Sequence, residues 1–270
     1  VIKTEGNPKM TQKNASVGYS QRIRLEWFEY TVNLILEGKD KTAINLALQE
    51  FLKDKVSVGG SAKGCNREKI ISILRTVWLK PSNELEVLRN TGLNFLSIRP
   101  SLSIPNDLSI VIHWGMATAT YSFWSAVASH TGRLLKLQGF ASASQIQRRI
   151  RELYGERETV SRATQRVLRT YIDWGVLQET GTKGVYSAGK TIAVKDPQLA
   201  VWLVEASLHS RTQGSAPLNE LLDNPALFPI RIKPIPAESL LNLSPRLELL
   251  RHGLDNELII LKKRNLSYDA

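Results

Sequence analysis

"RETVSRATQRVLRTYIDWGVL", residues 157–177, carries arginines at 162, 166 and 169 on a segment whose apolar residues recur at threes and fours. Val160, Ala163, Val167, Leu168, Tyr171 and Ile172 line one face of a helix that Gly175 stops. Arg162, Gln165, Arg166 and Arg169 share the opposite face. A solvated helix face usually mixes Glu with Lys, but acids stand here only at the ends, at Glu156, Glu158 and Asp173. The guanidinium fork suits paired phosphate oxygens or guanine edges better than an ammonium does. The ridge therefore reads as a face that meets nucleic acid.

The flanks agree. A helix over about 120–138 ends at Gly139, and "SASQIQRRIRELYG" follows as a second helix. Ser142 or Ser144 is expected to cap it, with Ile146, Ile150 and Leu153 inward. It adds Arg148, Arg149 and Arg151, and Thr159 or Ser161 is expected to cap the helix after it. Downstream, Val176–Glu179 reads as a short strand, 180–184 as a turn with two glycines and Lys183, and Val185–Ser187 as the returning strand.

Three helices followed by a hairpin predict a winged helix–turn–helix. In that motif one helix crosses the backbone while the next enters the major groove. Arg162 and Gln165 are placed to read base edges, and Arg148, Arg149, Arg166, Arg169 and Lys183 to hold phosphates. Trp174, at the junction of helix and hairpin, reads as core; Tyr186 is open between core and stacking platform.

Upstream, residues 1–20 are polar and aperiodic and predict a flexible basic arm. Helices are expected over 21–37 (Leu25, Phe28, Val32, Ile35 and Leu36 inward), 41–54 (Ile44, Leu48, Phe51 and Leu52), about 67–80, and 83–97 with Leu85, Leu88 and Leu93. These make an N-terminal bundle over 21–99. The loop "SVGGSAKG" lacks the lysine-serine ending of a phosphate loop and follows no strand. Lys63, Arg67 and Lys69 near it are instead candidates for a nucleic-acid backbone.

A central region, 106–195, begins after "PSLSIP", with a helical stretch over 107–137 broken near Gly115 or Gly132. The segment 196–270 starts with the helix "PQLAVWLVEASLHSR" and continues through a linker over 212–229. An edge strand "FPIRIKPI" follows, with Phe228, Ile230 and Ile232 on one face and Arg231 and Lys233 on the other. The helix "AESLLNLSPRLELLRHG" and the strand "NELIILKKR" complete it. The expected fold class is mainly α: a helical bundle, a winged helix–turn–helix and a small α/β C-terminal segment.

Charge separates these regions. The 270 residues carry a net +11. Residues 1–80 hold +6 and 133–195 hold +7, whereas 81–132 and 196–270 each hold −1. Localised excess points to binding faces and a polyanionic partner. A lone cysteine, Cys65, excludes an intramolecular disulfide and a cysteine-based zinc site, and suits a reducing, cytoplasmic setting. No apolar h-region opens the chain, so no signal peptide is expected, and no apolar run is long enough for a membrane span.

Catalytic chemistry finds little to use. His113, His130, His209 and His252 lie in four regions, although His113 and His130 could face each other in the helical layer. Cys65 has no local base, and Glu26 and Glu29 sit three apart as solvated residues often do. The expectation is a non-enzymatic protein with no catalytic residues, no metal and no cofactor.

"LILEGKDKTAINLALQEFLKDK" and "TVSRATQRVLRTYIDWGVL" together resemble the BrxA-type accessory protein of the BREX phage-defence systems, over roughly 30–80 and 120–190. The glycine loop at 58–64 and everything beyond 196 depart from it. The resemblance implies a DNA-binding component that works beside larger defence enzymes, through the winged-helix cations with Arg67 and Lys69. The partner expected is duplex DNA, within a larger complex or a homo-oligomer. A protein–protein adaptor or an RNA-binding protein is the alternative.

Overall fold

A computed structural model describes residues 17–56, 66–98, 107–251 and 257–262. The glycine loop with Lys63 and Cys65, the proline hinge, His252 and most of the basic arm lie outside these residues. Four helices form the N-terminal part: α1 (Leu25–Leu36), α2 (Lys41–Phe51), α3 (Asn66–Leu74) and α4 (Glu86–Ser97). Asp40 starts α2 by accepting the Thr42 and Ala43 amides. The third predicted helix continues beyond α3 as a wider turn over Arg75–Leu79. Ile44, Leu48, Leu52, Leu85 and Leu88 are buried as their spacing predicts. Leu36 is not: it lies exposed, and Trp27 and Leu34 take the inward positions on α1.

The predicted stretch over 107–137 is two helices, α5 (Asp107–Thr120) and α6 (Ser122–Gln138), and it breaks at Tyr121, where the backbone turns extended. Gly115 and Gly132, the expected break points, lie inside helices, where each gives room to a neighbour. A methyl at 115 would overlap the Trp202 ring, and one at 132 would overlap the Pro225 carbonyl oxygen. Helical glycine here buys close approach rather than a kink.

The central unit runs α6, β1 (Phe140–Ser142), α7 (Ala143–Tyr154), α8 (Glu158–Asp173), β2 (Leu177–Glu179) and β3 (Val185–Ala188). β3 lies between β1 and β2, antiparallel to both, with Tyr186 opposite Ala141 on one side and Glu179 on the other. The hairpin stands where its glycines and alternation predict it, whereas β1 has three residues, too few to show a period. One capping expectation fails and one holds by position. Arg157 occupies the cap position of α8, with Thr159 and Ser161 inside the helix, and Ser142 caps α7 by position only, its hydroxyl bonded to that of Ser144. Leu153 is exposed, and Tyr154 completes the α7 stripe.

Beyond β4 (Ile192–Val194), α9 (Pro197–His209) is buried along most of its length and mainly apolar, with Glu205 and Ser207 the buried polar exceptions. Leu199, Ala200, Trp202, Leu203 and Ala206 enter the main core. Val201, Val204 and Leu208 enter a second core with Leu218, Leu221, Leu240, Leu247 and Ile259. The Trp202 indole slots against Gly92 and Gly115 and donates to the Leu88 carbonyl at 2.8 Å.

The expected linker over 212–229 is ordered structure: β5 (Ser215–Pro217), α10 (Leu218–Leu222) and a tight turn over Pro225–Leu227 seated on α6. β6 (Ile230–Ile232) has Ile230 and Ile232 buried and Arg231 exposed, as alternation predicts, and pairs in parallel with β4; Phe228 precedes it. The expected long helix after it divides. α11 (Ala237–Leu243) stops before Pro245, and β7 (Leu247–Arg251) pairs with β8 (Glu257–Leu261), which also takes β5. Pro245 lacks the amide that helical continuation would need. The protein is thus mainly helical, with small sheets between and after the helices. No helix among the described residues is long and apolar enough to cross a membrane.

Glu205, almost fully buried on α9, is held by Arg246 and by the Ser244 hydroxyl, which joins the C-terminal sheet to the central helix. One turn further, burial and the Arg246 charge lower His209 to about 4. His209 is therefore neutral in the folded protein, whereas the unfolded chain takes up its proton near pH 6.5. Stability on this account is fully present above about pH 6.5 and is lost as pH falls through the folded value. Urea unfolding across that range is expected to show the decline, and His209→Asn to flatten it. Gly132→Ala, despite better helix propensity, is expected to cost about 1–3 kcal/mol in the same assay; equal stability would mean that the Pro225 turn does not seat on α6.

Candidate nucleic-acid interface

The inner face of α8 is fixed by aromatic packing. Tyr171 is fully buried, its ring 4.7 Å from Trp124 and 4.8 Å from Trp114, and its hydroxyl donates to the Trp124 carbonyl at 3.0 Å. Trp174 is core, as expected, and its indole N–H donates to the Ile23 carbonyl at 3.0 Å. The Ile23 amide donates in turn to the Thr170 hydroxyl. The stretch before α1 is thereby stitched along α8, and two arginines complete the seam. Arg166 donates to the Ser20 carbonyl, and Arg22 reaches both oxygens of Asp173 at 2.5 Å. The bond to Asp173 raises the pKa of Arg22.

With the inner face pinned, the outer face of α8 meets the β2–β3 turn. The turn is ordered by its own bonds: the Thr180 hydroxyl donates to the Val185 carbonyl, and the Gly184 carbonyl accepts the Ala143 amide at the start of α7. Between helix and turn lies a cleft of about 630 Å³. Gln165, Arg166, Arg169 and Lys183 line it, as does Arg22, a residue some 150 positions distant that no local pattern indicates. Gln147 and Tyr186 also form walls. Tyr186 is 7% exposed, and burial pushes its hydroxyl pKa up, with Arg169 opposing and Glu179 adding. It is a buried wall, which settles the open reading of that residue in favour of core.

The other sequence candidates distribute around this cleft. Arg162 is exposed one turn nearer the start of α8 and pairs with Glu158. Arg148 and Arg149 stand on the far side of α7 and share Glu152, whose pKa the Arg149 bond depresses. Burial lowers His130 on α6, and Arg133 and Arg149 add to the effect. Arg151 pairs with Glu156 in the turn between the helices. Arg67 donates to the Lys53 carbonyl and ties α3 to the end of α2, and neither it nor Lys69 lines the cleft. The bundle cations and the α8 cations are separate features.

The stretch between Thr159 and Ile172 carries no acid, but its arginines still meet acids, Arg162 at Glu158 one turn before it. Arg169 meets Glu179 of β2 at 2.7 Å. Both side chains are more than half exposed, so the pair is worth about 0–1 kcal/mol. Lys183 makes no ion pair with any described residue. The cleft lining therefore holds four cations and one carboxylate, Glu179, while Asp173, outside the lining, pairs with Arg22.

Among the described residues, the remaining candidates lie apart from the cleft. His113 stacks on Phe28 at 5.3 Å within the bundle, while His130 lies beside α7, so the two do not face each other. Glu29 is half-buried and accepts from the Ser109 hydroxyl, rather than standing in solvent. Among the described residues no group of three or more His, Cys, Asp or Glu could hold a metal ion. No protein-family model, curated protein or solved structure matches the chain.

Because Asp173 holds Arg22 with two bonds, Asp173→Asn is expected to release residues 17–24 from α8. Deuterium uptake by that segment should rise while uptake across α5 and α9 stays unchanged; equal uptake would place the hold elsewhere in the seam.

Proposed function

We propose that residues 122–188 form a winged helix–turn–helix that binds duplex DNA without catalysing a reaction. In this reading α7 crosses the backbone, α8 enters the major groove, and the β2–β3 turn is the wing. The observation that carries it is the convergence of Arg22, Arg166, Arg169 and Lys183 in one cleft beside the exposed edge of α8. The order of helices and strands supports it, since a strand between the first two helices joins the hairpin and fixes the wing against α7.

The roles divide by position. Arg162 and Gln165 stand on the outward half of α8, where base edges are within reach, and Arg169 and Lys183 take phosphates along the wing side. Arg22 and Arg166 keep the seam closed and add positive charge behind them. The role implied by the phage-defence resemblance, an accessory that places larger enzymes on DNA, suits a protein that gathers cations in one cleft.

The test is fluorescence anisotropy with a short labelled duplex at several salt concentrations. Binding should weaken steeply with salt, with a log–log slope of about −0.9 for each phosphate contact. Arg162→Glu with Lys183→Glu is expected to lower affinity by about tenfold or more and to make the slope shallower. Undiminished binding by this variant would move the interface off α8 and the wing. Structured RNA that competes better than the duplex would replace DNA as the partner.

A further inference from the structure

Resting on the duplex-binding reading, we propose that Glu179 is a specificity residue: a carboxylate built into the cleft as a stand-in for phosphate, which holds Arg169 until a correctly seated backbone displaces it. Two arginines of the cleft pair with carboxylates, and the two pairs differ in kind. Arg22 grips Asp173 through two nitrogens and two oxygens, and Asp173 is only 18% exposed. That pair is a fixture. Arg169 and Glu179 are 52% and 56% exposed and share one bond, from Nη1 to Oε1.

Glu179 is also placed by the sheet rather than by a mobile loop. It ends β2, in register with Tyr186 of the central strand, whose burial anchors that position. The sheet therefore sets where the Glu179 side chain leaves the backbone, at the cleft wall next to the turn that carries Lys183, and its carboxylate meets Arg169. Any anion that takes Arg169 must both replace this bond and approach a negative charge. A phosphate held at the same time by Lys183 and by contacts along α8 overcomes that cost, whereas one engaging Arg169 alone does not. The effect is to suppress loose, undirected attachment more than seated binding.

The experiment compares full-length wild type, Glu179→Gln, Arg169→Gln and the double variant by anisotropy on a random-sequence duplex between about 50 and 200 mM salt. Far-UV circular dichroism and thermal unfolding check that each remains folded. Glu179→Gln is expected to bind about three- to tenfold more tightly than wild type, with a slope steeper by roughly 0.9, the increment of one further phosphate contact. Arg169→Gln should bind more weakly, and the double variant should show no gain over Arg169→Gln. Wild-type binding with Glu179→Gln equal or weaker overturns the role of Glu179 and leaves the interface standing. A gain that persists in the double variant overturns the pairing with Arg169, because it would report bulk charge alone. Absence of salt-dependent duplex binding by every protein overturns the duplex reading itself, and this inference with it.

Discussion

The burial of Tyr171 and Trp174 decides where the arginines of α8 point. A helix rolled by one residue turns its side chains by about 100°, enough to carry a cationic ridge from the surface into the core. The Trp114, Trp124, Tyr171 and Trp174 rings, edge-on or tilted to one another, admit one rotation of α8. Aromatic pairs of this kind add about 0.5–1.5 kcal/mol each beyond the area they bury. The hydrogen bonds from Tyr171 to Trp124 and from Trp174 to Ile23 then fix the C-terminal end of α8. The outer face is thus specified from the inside.

That dependence explains what could be read from the chain. Val160, Ala163, Val167, Leu168 and Tyr171 announce the inner face by spacing alone, and the outward set of Arg162, Gln165 and Arg169 follows from the same period. The hairpin was legible because its glycines and alternation are local. The cleft was legible only in part. Arg22 joins it through contacts with residues some 150 positions away, which periodicity cannot register. Glu179 sits in a recognisable strand, but its meeting with Arg169 depends on how the hairpin folds back over α8.

The errors share a cause. Gly115 and Gly132 were expected to break helices because glycine is a poor helix former, a preference of about 1 kcal/mol that close packing overrides. Trp202 and the Pro225 turn need the missing side chains, and neither need is visible nearby in sequence. The run after Ala237 carries a helical stripe until Pro245, and its second half becomes β7 because β8 is there to pair with it. Short strands such as β1 and β4 take their identity from a partner strand, not from their own three residues.

Net charge is a weaker guide to a binding face than the pairing of each charge. Residues 133–195 hold much of the excess, yet Arg148, Arg149, Arg151 and Arg162 all lean on carboxylates of their own helices or of the adjoining turn. Such exposed pairs are shallow, so in the proposed duplex complex the arginines would exchange their partners for phosphate, and each exchange would strand an acid beside the backbone. Where the acid lies therefore matters as much as where the cation lies. Glu152, on the far side of α7, is clear of the cleft, whereas Glu179 is part of its wall. A face with equal net charge but no acid inside it would hold any polyanion. One with a carboxylate at a fixed point ranks anions by whether their other contacts can outweigh it, and shape thereby enters an interaction that charge alone would leave indiscriminate.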